Sequence, residues 1–254
     1  MRRILILAAV VLSLAAVPAH ALPGFEAGIR GMYWFPDLSG DVQTFAAGVQ
    51  GTKFDIKDDL GVGDENFPSG EAFVRIGRLH FRVGYTPVEF DGNKQLTRQI
   101  VFDGQTFDVN ENVVSYLDLK MIDGEVQFDL LRPEFATTNF NLGLIVKVKY
   151  VDGTVELRST TATETRDFQA PLPMVGIAAG VGTLNNMLRA DARVSGIAYS
   201  GNHLYEGDIY ASFSPLPFVS IQGGYRLIDM KIDEDDIEAS IKLKGPYVGA
   251  QVSF

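Results

Sequence analysis

From residue 25 onward, hydrophobic and polar residues alternate with a period of two, in blocks of about ten residues. The pattern is plainest over residues 140–150. Phe140, Leu142, Leu144, Val146, Val148 and Tyr150 fall on one face, with Asn141, Lys147 and Lys149 on the other. A strand places successive side chains on opposite faces, so each block predicts a strand with one apolar and one polar side. Ten blocks can be marked. The first, residues 25–35, sets Phe25, Ala27, Ile29, Gly31, Tyr33 and Phe35 against Glu26, Gly28, Arg30, Met32 and Trp34. Residues 71–77 and 79–85 follow about a turn at Gly77-Arg78, and residues 113–131 and 140–150 give the fourth and fifth strands. The last five cover residues 168–181, 188–198, 205–213, 218–228 and 237–254.

The fourth strand changes phase. Its apolar positions are odd at Leu117, Leu119 and Met121, then even at Val126, Phe128 and Leu130. A slip of one residue turns every side chain to the other face, so the pattern predicts a bulge at Asp123-Gly124 to absorb it. A two-residue hairpin there would leave residues 125–131 too short to span a bilayer, which takes ~9–11 residues.

The connections alternate in length. Short turns at Gly77-Arg78, 132–134, 183–186 and 214–217 face longer or more polar segments at 36–69, 91–112, 151–166, 200–203 and 233–236. Within 91–112, Asp103-Gly104 predicts a hairpin rising above the membrane. Outward aromatic residues are spaced ten residues apart on the fifth strand and eight on the first and eighth. At ~3.3 Å per residue and a tilt near 40°, these rings lie ~20–25 Å apart, the height of a lipid-facing band between two girdles. In lipid every backbone polar group needs a partner, so the strands must close on themselves. The fold expected is all-β, a closed antiparallel transmembrane β-barrel of ten strands. Eight or twelve stay open, because 42–56 and 96–109 could also pair.

The ends and the composition agree with this. Arg2 and Arg3, the apolar run 4–17 and Pro18-Ala19-His20-Ala21 read as an export signal over residues 1–21, leaving residues 22–254 as the barrel. The run is shorter than the ~20 residues of a spanning helix. The chain has no cysteine, so no disulfide framework is expected. Its net charge of −10 becomes −12 once Arg2 and Arg3 are removed, which disfavours nucleic acid as a partner.

The chain ends in Val248-x-Ala250-x-Val252-x-Phe254. This alternation with a terminal aromatic resembles the assembly signal of small Gram-negative outer-membrane β-barrel proteins. Gly245-Pro246-Tyr247-Val248-Gly249 and Tyr33-Trp34-Phe35-Pro36-Asp37 resemble an uncharacterised barrel family with no known activity. Many members of the larger class carry a second aromatic where this chain has Val252. The resemblance implies outer-membrane localisation, delivery by periplasmic chaperones and insertion by the barrel-assembly machinery, with outer-membrane lipids and lipopolysaccharide as neighbours.

Chemistry is sparse. The enzymes found among small barrels need a histidine beside a carboxylate. His80 is expected inward beside Arg82 and Arg75, without an acid near in sequence, and His203 in an outside loop near Ser200, Glu206 and Asp208. Acidic runs at Asp58-Asp59, Asp64-Glu65 and 233–236 lack the spacing of a calcium loop and read as solvated. Neither a metal site nor a cofactor is expected. The remaining candidate is the lumen, with Glu26, Arg30, Glu71, Arg75, Arg82, Glu125, Asp129, Lys147, Lys149, Arg189, Asp191, Arg193, Glu206, Asp208 and Arg226 pointing inward. Small barrels are filled by side chains, so these charges should interlock and leave at most a narrow polar path. The function expected is non-enzymatic, an envelope or surface-interaction role. The alternatives are a small-solute or ion channel and an outer-membrane hydrolase or lipid A-modifying acyltransferase.

Overall fold

A computed structural model describes residues 24–46, 49–234 and 237–254. The expected export signal lies outside the described residues, as do Asp235 and Asp236. Ten long strands form the wall: β1 (Phe25–Trp34), β2 (Phe67–Ile76), β3 (Leu79–Gln95), β4 (Asn112–Leu131) and β5 (Thr138–Arg158). They continue as β6 (Thr163–Thr183), β7 (Leu188–Tyr199), β8 (Asn202–Leu216), β9 (Val219–Glu234) and β10 (Ile237–Ser253). Each pairs antiparallel with the next, and β10 returns to β1 from Gly28↔Ser253 to Trp34↔Tyr247. The barrel is closed.

One half of the wall is apolar outside and polar inside. On β5, Leu144, Val146 and Val148 point out, with Val146 62% exposed on the bare barrel, while Lys147 and Lys149 are buried within. Tyr33, Tyr85, Tyr150, Tyr205 and Tyr225 mark one rim of this band. Phe25, Phe128, Phe140, Phe213, Phe218 and Phe254 mark the other. Phe254 pairs with Ala27 through two backbone hydrogen bonds (2.9 and 3.0 Å), and its ring lies 6.0 Å from that of Phe218.

The other half is the reverse. Above the tyrosine rim the inward positions turn apolar on strand after strand. Thr86 gives way to Val88 and Phe90, and Lys149 to Val151 and Leu157. Arg226 gives way to Ile228 and Met230, and Tyr247 to Leu243 and Ile241. Outward positions there are polar, among them Glu89, Asp118, Lys120, Glu156 and Lys242. This half is built as a water-soluble β-protein is built.

That inversion corrects the expected bulge. β3 and β4 pair without a break from Leu79↔Phe128 to Gln95↔Asn112, and Asp123 faces Lys149 while Met121 faces Val151. The one irregularity on β4 lies at its far end, opposite Leu142 and Gly143. Leu117, Leu119 and Met121 therefore point inward, into the apolar core, and Asp123 points inward with them. The phase of the strand is constant. What changes is the surroundings.

The long connections also differ from expectation. Residues 151–166 are mostly strand, with only 159–162 between β5 and β6. Asp37–Ala46 extends the line of β1 and pairs with β10 from Asp37↔Lys244 to Thr44↔Ile237. Of the segments that left the count open, 42–56 and 96–109 do pair, but only in this outer half, so ten strands form the closed wall. Ile100–Phe102 and Gln105–Phe107 form the expected hairpin, with Asp103 (φ 48°) and Gly104 (φ 81°) in its turn. Instead of rising free, it folds onto the barrel. Phe102 packs edge-on against Phe54 at 6.1 Å, and Ile100, Phe102 and Phe107 are fully buried. Each such side chain contributes ~1.5–3 kcal/mol of burial, which explains why an outwardly polar loop folds in.

Candidate functional site

The lumen of the polar half holds every charged residue singled out there from the sequence. Strand alternation fixes their direction, and cross-strand register fixes their partners. The layer nearest the apolar core contains Lys147, Lys149, Asp123, Glu206 and Arg226. The ammonium of Lys149, wholly buried, lies 2.6 Å from Asp123 and 2.9 Å from Glu206. Lys147 lies 3.2 Å from Asp123 and also pairs with Glu206. Arg226 approaches both acids at 3.9 Å, donates to Thr86 Oγ1 at 3.1 Å and stacks 5.2 Å over the Trp34 ring.

The next layer centres on Arg193. It bridges Asp208 (2.7 Å), Glu71 (3.2 Å) and Glu125 (3.6 Å). Tyr247 donates its hydroxyl proton to Asp208 at 2.8 Å. Arg82 pairs with Glu125 at 2.6 Å and donates to Gln127 at 2.9 Å. Gln127 in turn donates to Asp129 at 2.7 Å, and Asp129 lies 2.9 Å from Nε2 of His80. Arg30 faces Glu71 at 3.7 Å and donates to the Tyr210 hydroxyl at 2.9 Å. Toward the short turns, Arg75 pairs with Glu26 at 2.9 Å, and Arg189 with Asp191 at 2.6 Å and with Asn141 at 2.6 Å.

Sequence reasoning did not bring in Asp123, Gln127 or Tyr247. Asp123 was set aside by the assumed bulge; unbroken odd parity from Val113 to Asp129 would have put it inside. The acid beside His80 is likewise 49 residues away in sequence and adjacent only through the β3–β4 register.

A charge buried in protein is costly unless it is paired, and here opposite charges alternate around the barrel. The interlocked layers leave only a ≈ 60 Å³ cavity between them. Above them the apolar core, including Trp34, Phe67, Phe90 and Leu243, fills the barrel. Below them, toward the short turns, a cavity of ≈ 540 Å³ opens among Arg30, Arg75, Arg189, Tyr210, Ser212 and Gln251. The lumen is thus a blind vestibule under a two-layer plug.

His203 does not join Glu206 and Asp208. It shares the outer face of β8 with Tyr205, stacked at 4.9 Å, and lies 3.5 Å from Asp229, while the two acids point into the lumen. Odd and even positions of one strand cannot meet, so the imagined constellation is not formed. The acidic loops are engaged internally. Asp59 pairs with Arg98 at 2.5 Å and Asp64 with Lys57 at 2.6 Å. The Arg98 hydrogen bond holds the Asp59 carboxyl below the usual carboxylate range. Among the described residues no cluster of metal-ligating side chains is found. Val248, Ala250, Val252 and Phe254 line the outer wall at the β10–β1 seam, paired with Tyr33, Gly31, Ile29 and Ala27.

A closed, antiparallel, ten-stranded barrel with an apolar belt and a polar lumen is the architecture of the small outer-membrane β-barrels of Gram-negative bacteria. No protein-family profile and no curated protein matches the sequence. Among solved structures, the chain is similar to the outer membrane protease OmpT from Escherichia coli (10% identity, 89% of this chain and 97% of that one, TM-score 0.49). It is also similar to Neisserial surface protein A (14% identity, 91% and 97%, TM-score 0.38) and to the Pseudomonas putida toluene transporter TodX (8% identity, 94% and 93%, TM-score 0.33). Such distant likeness carries no activity across.

Proposed function

We propose that the protein is a non-enzymatic, non-conducting barrel of the outer membrane whose work is done by its apolar-cored outer half, in an envelope or surface-interaction role. The observation that carries this reading is the double closure of the lumen: interlocked ion pairs in the belt, then a packed hydrophobic core above them. Water and ions would have to cross both. In this orientation the short turns and the Phe254 seam face the periplasm, where the assembly machinery reads the last strand. Outer-membrane lipids contact the belt, and lipopolysaccharide headgroups meet Lys231, Lys242 and His203 just beyond the tyrosine rim.

Planar-bilayer recording of the refolded protein tests the closure. A flat baseline at either polarity is expected. Stepwise, ion-selective conductance would replace this reading with a small-solute channel. His203→Ala should leave lipid A composition and peptide cleavage unchanged in cells carrying the protein; a change in either would restore the enzyme reading.

A further inference from the structure

Beyond the tyrosine rim the wall does not close all the way round. β6 pairs with β5 along its length, from Asn139↔Gly182 to Arg158↔Thr163, but with β7 only from Thr183↔Leu188 to Val175↔Gly196. Residues 163–174 therefore carry one edge that has no strand partner among the described residues. Pro171 and Pro173 lack the N–H that would continue the ladder. β7 ends at Tyr199, where the chain turns back through Ser200 (φ 50°) and Gly201 (φ 88°). Since Pro171 pairs with Tyr150 of the rim, residues 163–170 stand clear of the lipid.

The same wall has a second gap, and the fold closes it. β2 begins only at Phe67, so above the rim it does not separate Asp37–Ala46 from the outer end of β3. Residues 54–62 take its place. Phe54 pairs with Val42 and Val62 with Gly92, while Phe54, Ile56, Leu60 and Val62 turn into the core. At the β6 gap, Phe168, Leu172 and Ile197 pack on the same core but are only partly buried. Tyr199, ending the opposite lip, is 79% exposed. Arg166 turns inward and is engaged by Asp103 at 2.8 Å. The outer face beside the edge is acidic, with Asp152 and Glu156 on β5 and Asp167 on β6. Glu156 pairs with Arg158 at 2.5 Å. Asp152 and Asp167 form no ion pair among the described residues and accept only from Gln169 (3.3 Å) and Thr154 (2.6 Å).

We propose that the free edge of β6 at residues 163–170 docks an extended segment of a partner protein at the cell surface, added as one more strand. Its inward side chains would be apolar, covering Phe168 and Ile197, and its outward ones basic, beside Asp152 and Asp167. Main-chain hydrogen bonds supply affinity in such additions, and alternate side chains supply specificity. A second copy of this chain does not fit. Strands tilt ~35–45° in the membrane, so two copies standing in one bilayer would cross these edges at about twice that angle. The proposal rests on the surface-interaction reading and names the chemistry of its partner.

The test uses the full chain refolded in detergent micelles and a labelled peptide of alternating Lys and Val, about eight residues long to match the edge. Saturable binding at physiological salt is expected, with none to empty micelles. Alternating Glu and Val should bind at least about tenfold more weakly, because like charges then face each other across the new pair. Asp167→Lys and Asp152→Lys should each weaken the Lys-Val peptide about fivefold and strengthen the Glu-Val one, a reversal that misfolding does not produce. Heat-modifiable migration confirms that each variant folds. At saturation, the edge-facing amides of 163–170 should exchange their hydrogens about tenfold more slowly or less. Binding without that protection would show only a polycation on an acidic wall, and would overturn the proposal. Protection of the same amides by self-association without peptide would assign the edge to a second copy instead. Conductance in the bilayer experiment would remove the closed lumen and leave this result standing, whereas failure here leaves the closure intact.

Discussion

The two halves of the barrel are joined by the longer strands, which run through both, and they invert each other. In the belt, Val146 and Val148 face out and Lys147 and Lys149 face in; a few residues along the same strand, Asp152 and Glu156 face out and Val151 and Leu157 face in. Hydrogen bonding runs through the boundary without a break, from Gly143↔Asp129 to Arg158↔Val114. The polarity of a strand face is therefore set by the medium at each height, not by the strand. In lipid the cheap interior is a mixed-charge network, because the outside must be apolar. In water the outer ends of the strands are stabilised by an apolar filling.

The comparison predicts that each half fails in its own way. The largest effects come from the interiors. Asp123→Ala would leave the buried Lys147 and Lys149 with Glu206 alone between them. Breaking one partner of a buried pair costs ~3–5 kcal/mol. Urea unfolding in micelles, followed by heat-modifiable migration, should shift by that amount. An unchanged midpoint would show that water reaches Lys149 and that the plug is not tight. Phe102→Ala in the outer half costs a similar ~3–5 kcal/mol by opening a cavity. Its signature should be different. Protease should cleave the 96–111 segment rapidly while the belt keeps its folded migration, and simultaneous loss of both would show that the halves unfold as one unit.

Smaller effects come from the outer faces. Val146→Arg, in the middle of the apolar belt, should cost ~2–4 kcal/mol in a bilayer. Thr154→Arg, outward on the same strand but above the rim, should fall within ~0.5 kcal/mol of zero. Equal penalties at the two sites would mean that the tyrosine rim does not mark the edge of the lipid.

Much of this was legible from the chain. Alternation located ten strands and pointed the charges of β1, β5, β7 and β8 inward, since each keeps its phase within the belt. The inversion was not legible, because a period-two pattern gives two faces without saying which one meets water. At Met121-Asp123 the apolar set moves from one face to the other. A single-medium reading can only explain that by a bulge, whereas two stacked media need no irregularity at all. Partners such as His80 and Asp129 were hidden for a related reason, since cross-strand register is not written locally. The buried hairpin escaped because its apolar residues, Ile100, Phe102 and Phe107, are too few to stand out from a polar loop.

The gentlest way to separate the halves is acid. Asp59 is hydrogen-bonded to Arg98, which also donates to the Lys53 carbonyl at 2.8 Å, so this pair ties the 53–59 segment to the 96–111 segment over the outer core. Arg98 lowers the Asp59 pKa in the folded state, so the unfolded chain takes up the proton first. The pair's contribution is therefore complete above the ordinary aspartate pKa of ~3.9 and is lost as pH falls below it, through the lower folded value. Protease sensitivity of the 96–111 segment should rise across that acid window before the belt loses its folded migration. Asp59→Asn should already be more sensitive at neutral pH and flatter across the window. If the wild type and Asp59→Asn respond to acid alike, the tie between the two outer segments is carried by their apolar contacts and not by this ion pair.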